Sequence, residues 1–183
     1  MPDHLECDAK GSGQQVSLVL ELPDETATAT LAQTLASVTR TGDVIALRGD
    51  LGAGKTTFAR HFIHALGCGE EVPSPTFTLV QVYSFGNAME NAGQSRAPVT
   101  SVWHFDLYRI AAPEEVFELG IEDAFEEGVS LIEWPDKMAS LLPEDILNLD
   151  LEFRGDTGAR GARLSAGISW TSRLAALKQT RTP

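Results

Sequence analysis

Apolar positions fall in short runs separated by polar, glycine-bearing or proline-bearing breaks, and their spacing changes along the chain. From Val16 to Leu22 apolar and polar residues alternate, which predicts a strand. Pro23-Asp24-Glu25 opens a helix running to about Val38, with Asp24 placed to cap it. Asp43 to Leu47 carries the uninterrupted apolar run Val44-Ile45-Ala46-Leu47, a short strand buried on both faces. A glycine-rich turn follows directly, then a helix from Lys55 to Leu66 that stops at Gly67. Thr76 to Phe85 and Val99 to Tyr108 read as strands, and the polar stretch 86–98 between them as a surface hairpin loop prone to disorder. Pro113 to Phe125 predicts a helix broken at Gly120, and Val129 to Trp134 another buried strand. Ile146 to Phe153 and Ala162 to Ile168 read as late strands, with a closing helix over Thr171 to Lys178. Residues 1–15 are polar and contain Gly11-Ser12-Gly13, a flexible lead-in to a single domain over 16–183. Strands interleaved with helices predict an α/β fold with a mixed, mainly parallel central sheet and hairpins at its edges.

The loop after the second strand changes the picture from fold to chemistry. Gly49-Asp50-Leu51-Gly52-Ala53-Gly54-Lys55-Thr56 fits G-x-x-x-x-G-K-[ST] at every fixed position. Glycines let the backbone curl so that its N–H groups point inward with no side chain in the way of a phosphate. The helix beginning here adds the positive end of its dipole. Lys55 supplies a full charge for the β- and γ-phosphates, and the Thr56 hydroxyl is placed for Mg²⁺. An apolar strand before the loop and an amphipathic helix after it are the context this motif requires. The expected architecture is therefore a three-layer P-loop NTPase-like fold that binds ATP. No Asn-Lys pair exists to make the guanine signature N-K-x-D, which favours ATP over GTP.

Such a site needs acidic groups at the ends of neighbouring strands, to hold Mg²⁺ or position water. Val102-Trp103-His104-Phe105-Asp106 and Val129-Ser130-Leu131-Ile132-Glu133 are mostly apolar strands that end in an acid. The residues alone do not decide which acid meets the metal. Ser74-Pro75-Thr76 reads either as a switch-like segment reaching the γ-phosphate or as a rigid turn into a strand. Arg109 is a candidate for phosphate, a partner or a surface ion pair. Trp134 is a candidate for stacking on a base or for core packing. His61 and His64 share a helix face without a third ligand and read as surface positions, not as a metal site.

Composition narrows the partners. Net charge is -12, from 26 acidic and 14 basic residues among 183, and 43% of residues are hydrophobic, enough for a core. An acidic surface repels bare DNA, RNA and anionic membrane, so any RNA is reached through a partner or a small local patch, unless the acidity serves solubility alone. Cys7 and Cys68 are too few for a disulfide framework and form no metal-type pair. Met1-Pro2-Asp3-His4 lacks the basic and apolar segments of a secretory leader, and no stretch is apolar for long enough to span a bilayer. The cytoplasm is the expected compartment.

Four stretches in chain order carry a family resemblance: Gly49 to Thr57, Ser74 to Val80, His104 to Arg109, and Glu133-Trp134-Pro135. Together they resemble the bacterial TsaE (YjeE) family, small P-loop ATPases that help make threonylcarbamoyladenosine in tRNA. The resemblance runs from about Leu22 to about Ala166, with the segment 86–98 longer than the family's usual hairpin. It implies ATP and Mg²⁺ as ligands and TsaD and TsaB as protein partners. TsaD would transfer the group to adenosine 37 of tRNAs that read codons beginning with A. It further implies that loop residues Gly49 to Thr57 bind ATP, with Lys55 on phosphate and Thr56 and Glu133 on the metal. Asp106 would support the metal's water shell or the attacking water, and Thr76 would sit in a switch-like segment. Thr28 would lie near the adenine, and Arg160 and Arg163 near the nucleotide or a partner. Two other classes share the phosphate loop: a small-molecule kinase and a non-enzymatic nucleotide-dependent binding module.

Overall fold

A computed structural model describes residues 16–85, 99–155 and 158–179; the predicted lead-in 1–15 and loop 86–98 lie outside the described residues. Strand β1 (Val16–Leu22) turns Leu18, Leu20 and Leu22 into the core. Asp24 then caps helix α1 (Glu25–Val38), its Oδ1 accepting from the Ala27 N–H at 2.8 Å. Strand β2 (Val44–Arg48) is buried along its four apolar residues. Loop 49–54 leads into α2 (Lys55–Ala65), after which Gly67 adopts a positive φ. Strands β3 (Val80–Ser84) and β4 (Ser101–Asp106) form an antiparallel pair. A 3-10 turn over 113–117 and helix α3 (Ile121–Glu127) are separated at Gly120, whose φ of 78° marks the predicted break. Strand β5 (Val129–Glu133) is fully buried. Strands β6 (Leu147–Arg154) and β7 (Ala159–Ala166) precede helix α4 (Thr171–Gln179).

The seven strands make one sheet in the order β1-β7-β6-β2-β5-β4-β3. Strands β6, β2, β5 and β4 are parallel neighbours, and the β3–β4, β6–β7 and β1–β7 pairings are antiparallel. The mixed, mostly parallel sheet bears out the expected class. One flank differs in detail: β1, not the β6–β7 hairpin, forms the edge there. Alternation along the strands feeds two cores. Ile45, Leu47, Leu131 and Leu149 pack with α1 and α2, around the fully buried rings of Phe58 and Phe62. Val44, Ala46, Phe105 and Ile132 pack beneath α3 and the 3-10 segments. Burying one such ring or aliphatic side chain contributes about 1.5–3 kcal/mol.

Two elements depart from the sequence pattern. The strand expected from Thr76 begins only at Val80, because Pro75 to Thr78 form a turn closed by the Leu79 N–H on the Pro75 carbonyl at 2.6 Å. Leu79 there has φ 65°. Residues Pro135–Leu141 form an unanticipated 3-10 segment that begins behind Trp134, itself at φ 59°.

Candidate functional site

Parallel strands deliver their last residues to one edge of a sheet, where ligands of open α/β folds sit. Loop 49–54 lies at that edge, between β2 and α2. Gly49 has φ 131°, and a Cβ there would stand 2.2 Å from the Leu151 carbonyl oxygen, so no side chain fits. Gly54 starts α2 at φ 109° without a side-chain cap. The first-turn amides of α2 are thus left facing the loop, as any helix start leaves them. Lys55 is only 4% exposed. Its Nζ donates to the carbonyls of Gly49 at 2.7 Å and Asp50 at 2.8 Å and lies 4.0 Å from the centre of the Trp134 ring. Burial pulls the Lys55 pKa below the ordinary lysine value, opposed by the carboxylates of Glu133, Asp106 and Asp50.

Asp106 and Glu133 are register partners at the ends of β4 and β5, and both are buried. Glu133 Oε1 accepts the Thr56 hydroxyl at 2.8 Å and meets His104 Nε2 at 2.9 Å. Asp106 Oδ2 accepts the Thr76 hydroxyl at 2.5 Å, and its Oδ1 accepts the Tyr108 N–H at 3.1 Å. A threonine hydroxyl bonded to a buried carboxylate, with a second carboxylate on the adjoining strand, is a hard-oxygen donor set. That set suits Mg²⁺, which takes one or two protein oxygens and completes its shell with water and phosphate. Among the described residues no three or more His, Cys, Asp or Glu side chains gather to hold a metal by themselves.

Comparison with known proteins adds a name to this geometry. The family model described as threonylcarbamoyl adenosine biosynthesis protein TsaE matches residues 22–162. The chain belongs to the TsaE family. A TsaE of Haemophilus influenzae, named as a tRNA threonylcarbamoyladenosine biosynthesis protein, is 35% identical over 156 residues, 82% of this chain and 90% of that one. The TsaE of Bacillus subtilis is 36% identical over 135 residues, 73% of this chain and 75% of its own. The crystal structure of Bacillus subtilis YdiB superposes with a TM-score of 0.73 at 27% identity, covering 94% of this chain and 100% of that one. Its likeness fits the P-loop-like fold.

Within this TsaE-family chain, motifs far apart in sequence meet at one site. Thr56 touches Glu133, Thr76 touches Asp106, and Lys55 touches Trp134. Thr57 follows in the first turn of α2. Leu51 is 79% exposed at the loop's tip. Arg160 reaches the loop's outer side, donating to the carbonyls of Ala53 at 3.1 Å and Gly52 at 3.2 Å. Arg163 does not reach it. Three residues along a strand invert the side-chain direction, so Arg163 leaves the face that Arg160 shares with the buried Ala162 and Leu164 and stands near Asp150. Thr28 is buried in α1, its hydroxyl 3.5 Å from the Asp24 carbonyl of its own helix. Arg109 stacks on the exposed Phe77 ring at 4.4 Å. His61 pairs with Glu25 at 3.1 Å, and His64 meets the Cys68 carbonyl at 2.8 Å, as helix-face residues.

Sequence reasoning passed over His104, which is fully buried against Glu133. A signal was present. In a mostly apolar strand, His104 stands two residues before Asp106 and therefore on the same face.

Proposed function

We propose that this chain binds and hydrolyses ATP on loop 49–56, and that this serves threonylcarbamoyladenosine formation at position 37 of tRNAs reading codons that begin with A. It acts in the cytoplasm with TsaD-type and TsaB-type partners and does not transfer the group itself. The observation that carries the reading is the convergence of Lys55, Thr56, Asp106 and Glu133 on the glycine loop at one sheet edge.

The loop amides and the α2 start bind the triphosphate, and Lys55 exchanges its two carbonyl partners for β- and γ-phosphate oxygens. Thr56 and Glu133 would hold Mg²⁺, which supplies charge neutralisation at the phosphates. Asp106, oriented by Thr76 and the Tyr108 amide, supports the water shell or the attacking water. Water attacks the γ-phosphorus, the bond to the β,γ-bridging oxygen breaks, and ADP and phosphate leave. Arg109, the one arginine of the four motif stretches, stacks on the exposed Phe77 ring. With no arginine finger fixed inside the motif set, turnover of the lone chain falls well below the range of about 1–100 s⁻¹ typical of dedicated phosphotransferases, and partners raise it.

Reconstitution of tRNA modification with and without this chain, using wild type and Lys55→Ala, tests the proposal. Modification that proceeds equally with the variant would defeat it. Labelled γ-phosphate recovered on a metabolite, not as free phosphate, would point to a kinase.

A further inference from the structure

A second cation is fixed against the loop, on the side away from Lys55. Arg160 in β7 gives Nε to the Ala53 carbonyl at 3.1 Å and Nη2 to the Gly52 carbonyl at 3.2 Å. Its Nη1 donates to the carbonyls of Gly158 at 2.6 Å and Ala159 at 3.2 Å. The guanidinium lies 4.4 Å from the centre of the Phe153 ring. Phe153 in turn backs the loop, since a Cβ on Gly52 would stand 3.7 Å from that ring. Among the described residues no carboxylate forms an ion pair with Arg160. Among the described residues, a full positive charge is therefore held beside the loop by carbonyl oxygens and a ring face.

A trans peptide points its C=O and its N–H in opposite directions. Drawing the carbonyls of Gly52 and Ala53 toward Arg160 turns the N–H groups of Ala53 and Gly54 to the other side. That side is where Lys55 sits: the Ala53 N–H meets the Asp50 carbonyl at 3.1 Å, and Lys55 Nζ meets the same oxygen at 2.8 Å. We infer that Arg160 is a positioning residue for the phosphate cradle, holding two loop carbonyls outward so that their amides face the phosphates, without touching the nucleotide. The inference rests on the reading of loop 49–56 as the ATP site. A donor fork is what the task requires. Two consecutive carbonyls are gripped by different nitrogens of one planar group, which a lysine ammonium cannot reproduce. Preorganised donors are worth more than donors that must be ordered on binding.

Equilibrium dialysis of the full chain with magnesium and labelled ADP or AMP tests this. Arg160→Gln is expected to lose about tenfold to hundredfold in ADP affinity, and less than about threefold for AMP, which lacks the β-phosphate. Its unfolding midpoint without ligand should move by less than about 2 °C. Arg160→Lys should recover less than about threefold of the loss. Wild-type ADP affinity in Arg160→Gln, or full recovery by Arg160→Lys, overturns the inference; the latter would mean a point charge acting on the phosphate itself. An equal loss for ADP and AMP overturns it as well. Should Arg160→Gln fail to fold, Phe153→Ala decides: a threefold or greater loss of ADP affinity is expected, and an unchanged affinity overturns the inference. Wild-type protein that retains no nucleotide defeats the ATP reading itself, a result distinct from all of these.

Discussion

Lys55 is held in the fold against the preference of its surroundings. Burial disfavours its charge, and the nearby carboxylates of Glu133, Asp106 and Asp50 only partly restore it. Removing the ammonium should therefore leave folding intact while taking away the counter-charge for phosphate. Lys55→Ala is expected to unfold at or above the wild-type temperature, yet to bind ATP at least tenfold to hundredfold more weakly, the worth of hydrogen bonds to a charged group. A thermal melt beside a dialysis measurement separates the two effects. His104 acts one step further back. Its Nε2 meets the same Glu133 oxygen that receives the Thr56 hydroxyl, so it fixes that carboxylate's direction. His104→Ala should weaken the apparent Mg²⁺ affinity of the nucleotide complex by about tenfold to hundredfold, as losing an outer-shell partner does. His104→Gln, which keeps a donor, should restore part of it, and metal-free nucleotide binding should be unchanged in both. On the opposite sheet face, Asp150 has its pKa raised by burial, offset in part by Arg48 and Arg163. The folded state then holds the extra proton between the unfolded value near 3.8 and the raised folded value. Stability falls as pH rises through that window and stays lower above it. Asp150→Asn should raise the unfolding midpoint at neutral pH and leave it unchanged below the window, which melts across pH would show.

At the scale of elements, loop 49–54 depends on the strand beside it. Any side chain at Gly49 would run into the Leu151 carbonyl in β6, and the φ of 131° there suits glycine alone. Gly49→Ala should cost more than about 3 kcal/mol in stability and abolish nucleotide binding, measured by denaturant unfolding and dialysis. At the start of α1, Asp24→Ala removes one capping bond and should cost about 1 kcal/mol. Where pattern and chain position coincide, the elements were legible: the apolar run of β2, the cap at Asp24 and the break at Gly120 all stand where the residues put them. The misreading at Thr76 has a tertiary cause. Thr-Phe-Thr-Leu alternates like a strand, but the Thr76 hydroxyl is taken by Asp106, thirty residues away, and the chain turns instead. Arg160 and Arg163 show the same limit at finer grain. Their type is visible in sequence, but their opposite faces follow from both lying in one strand, three residues apart, which requires β7 to begin at Ala159 rather than at Ala162. Nor does composition reveal that β1 forms the sheet's edge against β7, because that pairing joins strands far apart in the chain.

For the whole molecule, charge sets how RNA can be reached. The net charge is -12, and several of the arginines are already committed. Arg173 is buried against Asp43, Arg48 pairs with Asp136, Arg154 bridges Glu21 and Glu152, and Arg160 grips the loop. Nucleic-acid affinity grows with the number of phosphates neutralised, each releasing counterions and steepening the dependence on salt. A surface that neutralises few phosphates and repels the rest should bind tRNA weakly, with little response to salt. In a gel-shift assay near physiological ionic strength, this chain alone should leave tRNA unshifted at concentrations below about 10 μM, as binding at the weak end of the non-specific range, about 100 μM, requires. If the proposed function holds, adding TsaD-type and TsaB-type proteins should bring chain and tRNA into one complex, and nucleotide should modulate that complex through the chain, not through RNA contacts of its own. Tight binding by the lone chain that weakens steeply with added salt would reveal a basic path across the surface, and the tRNA would then be its direct ligand.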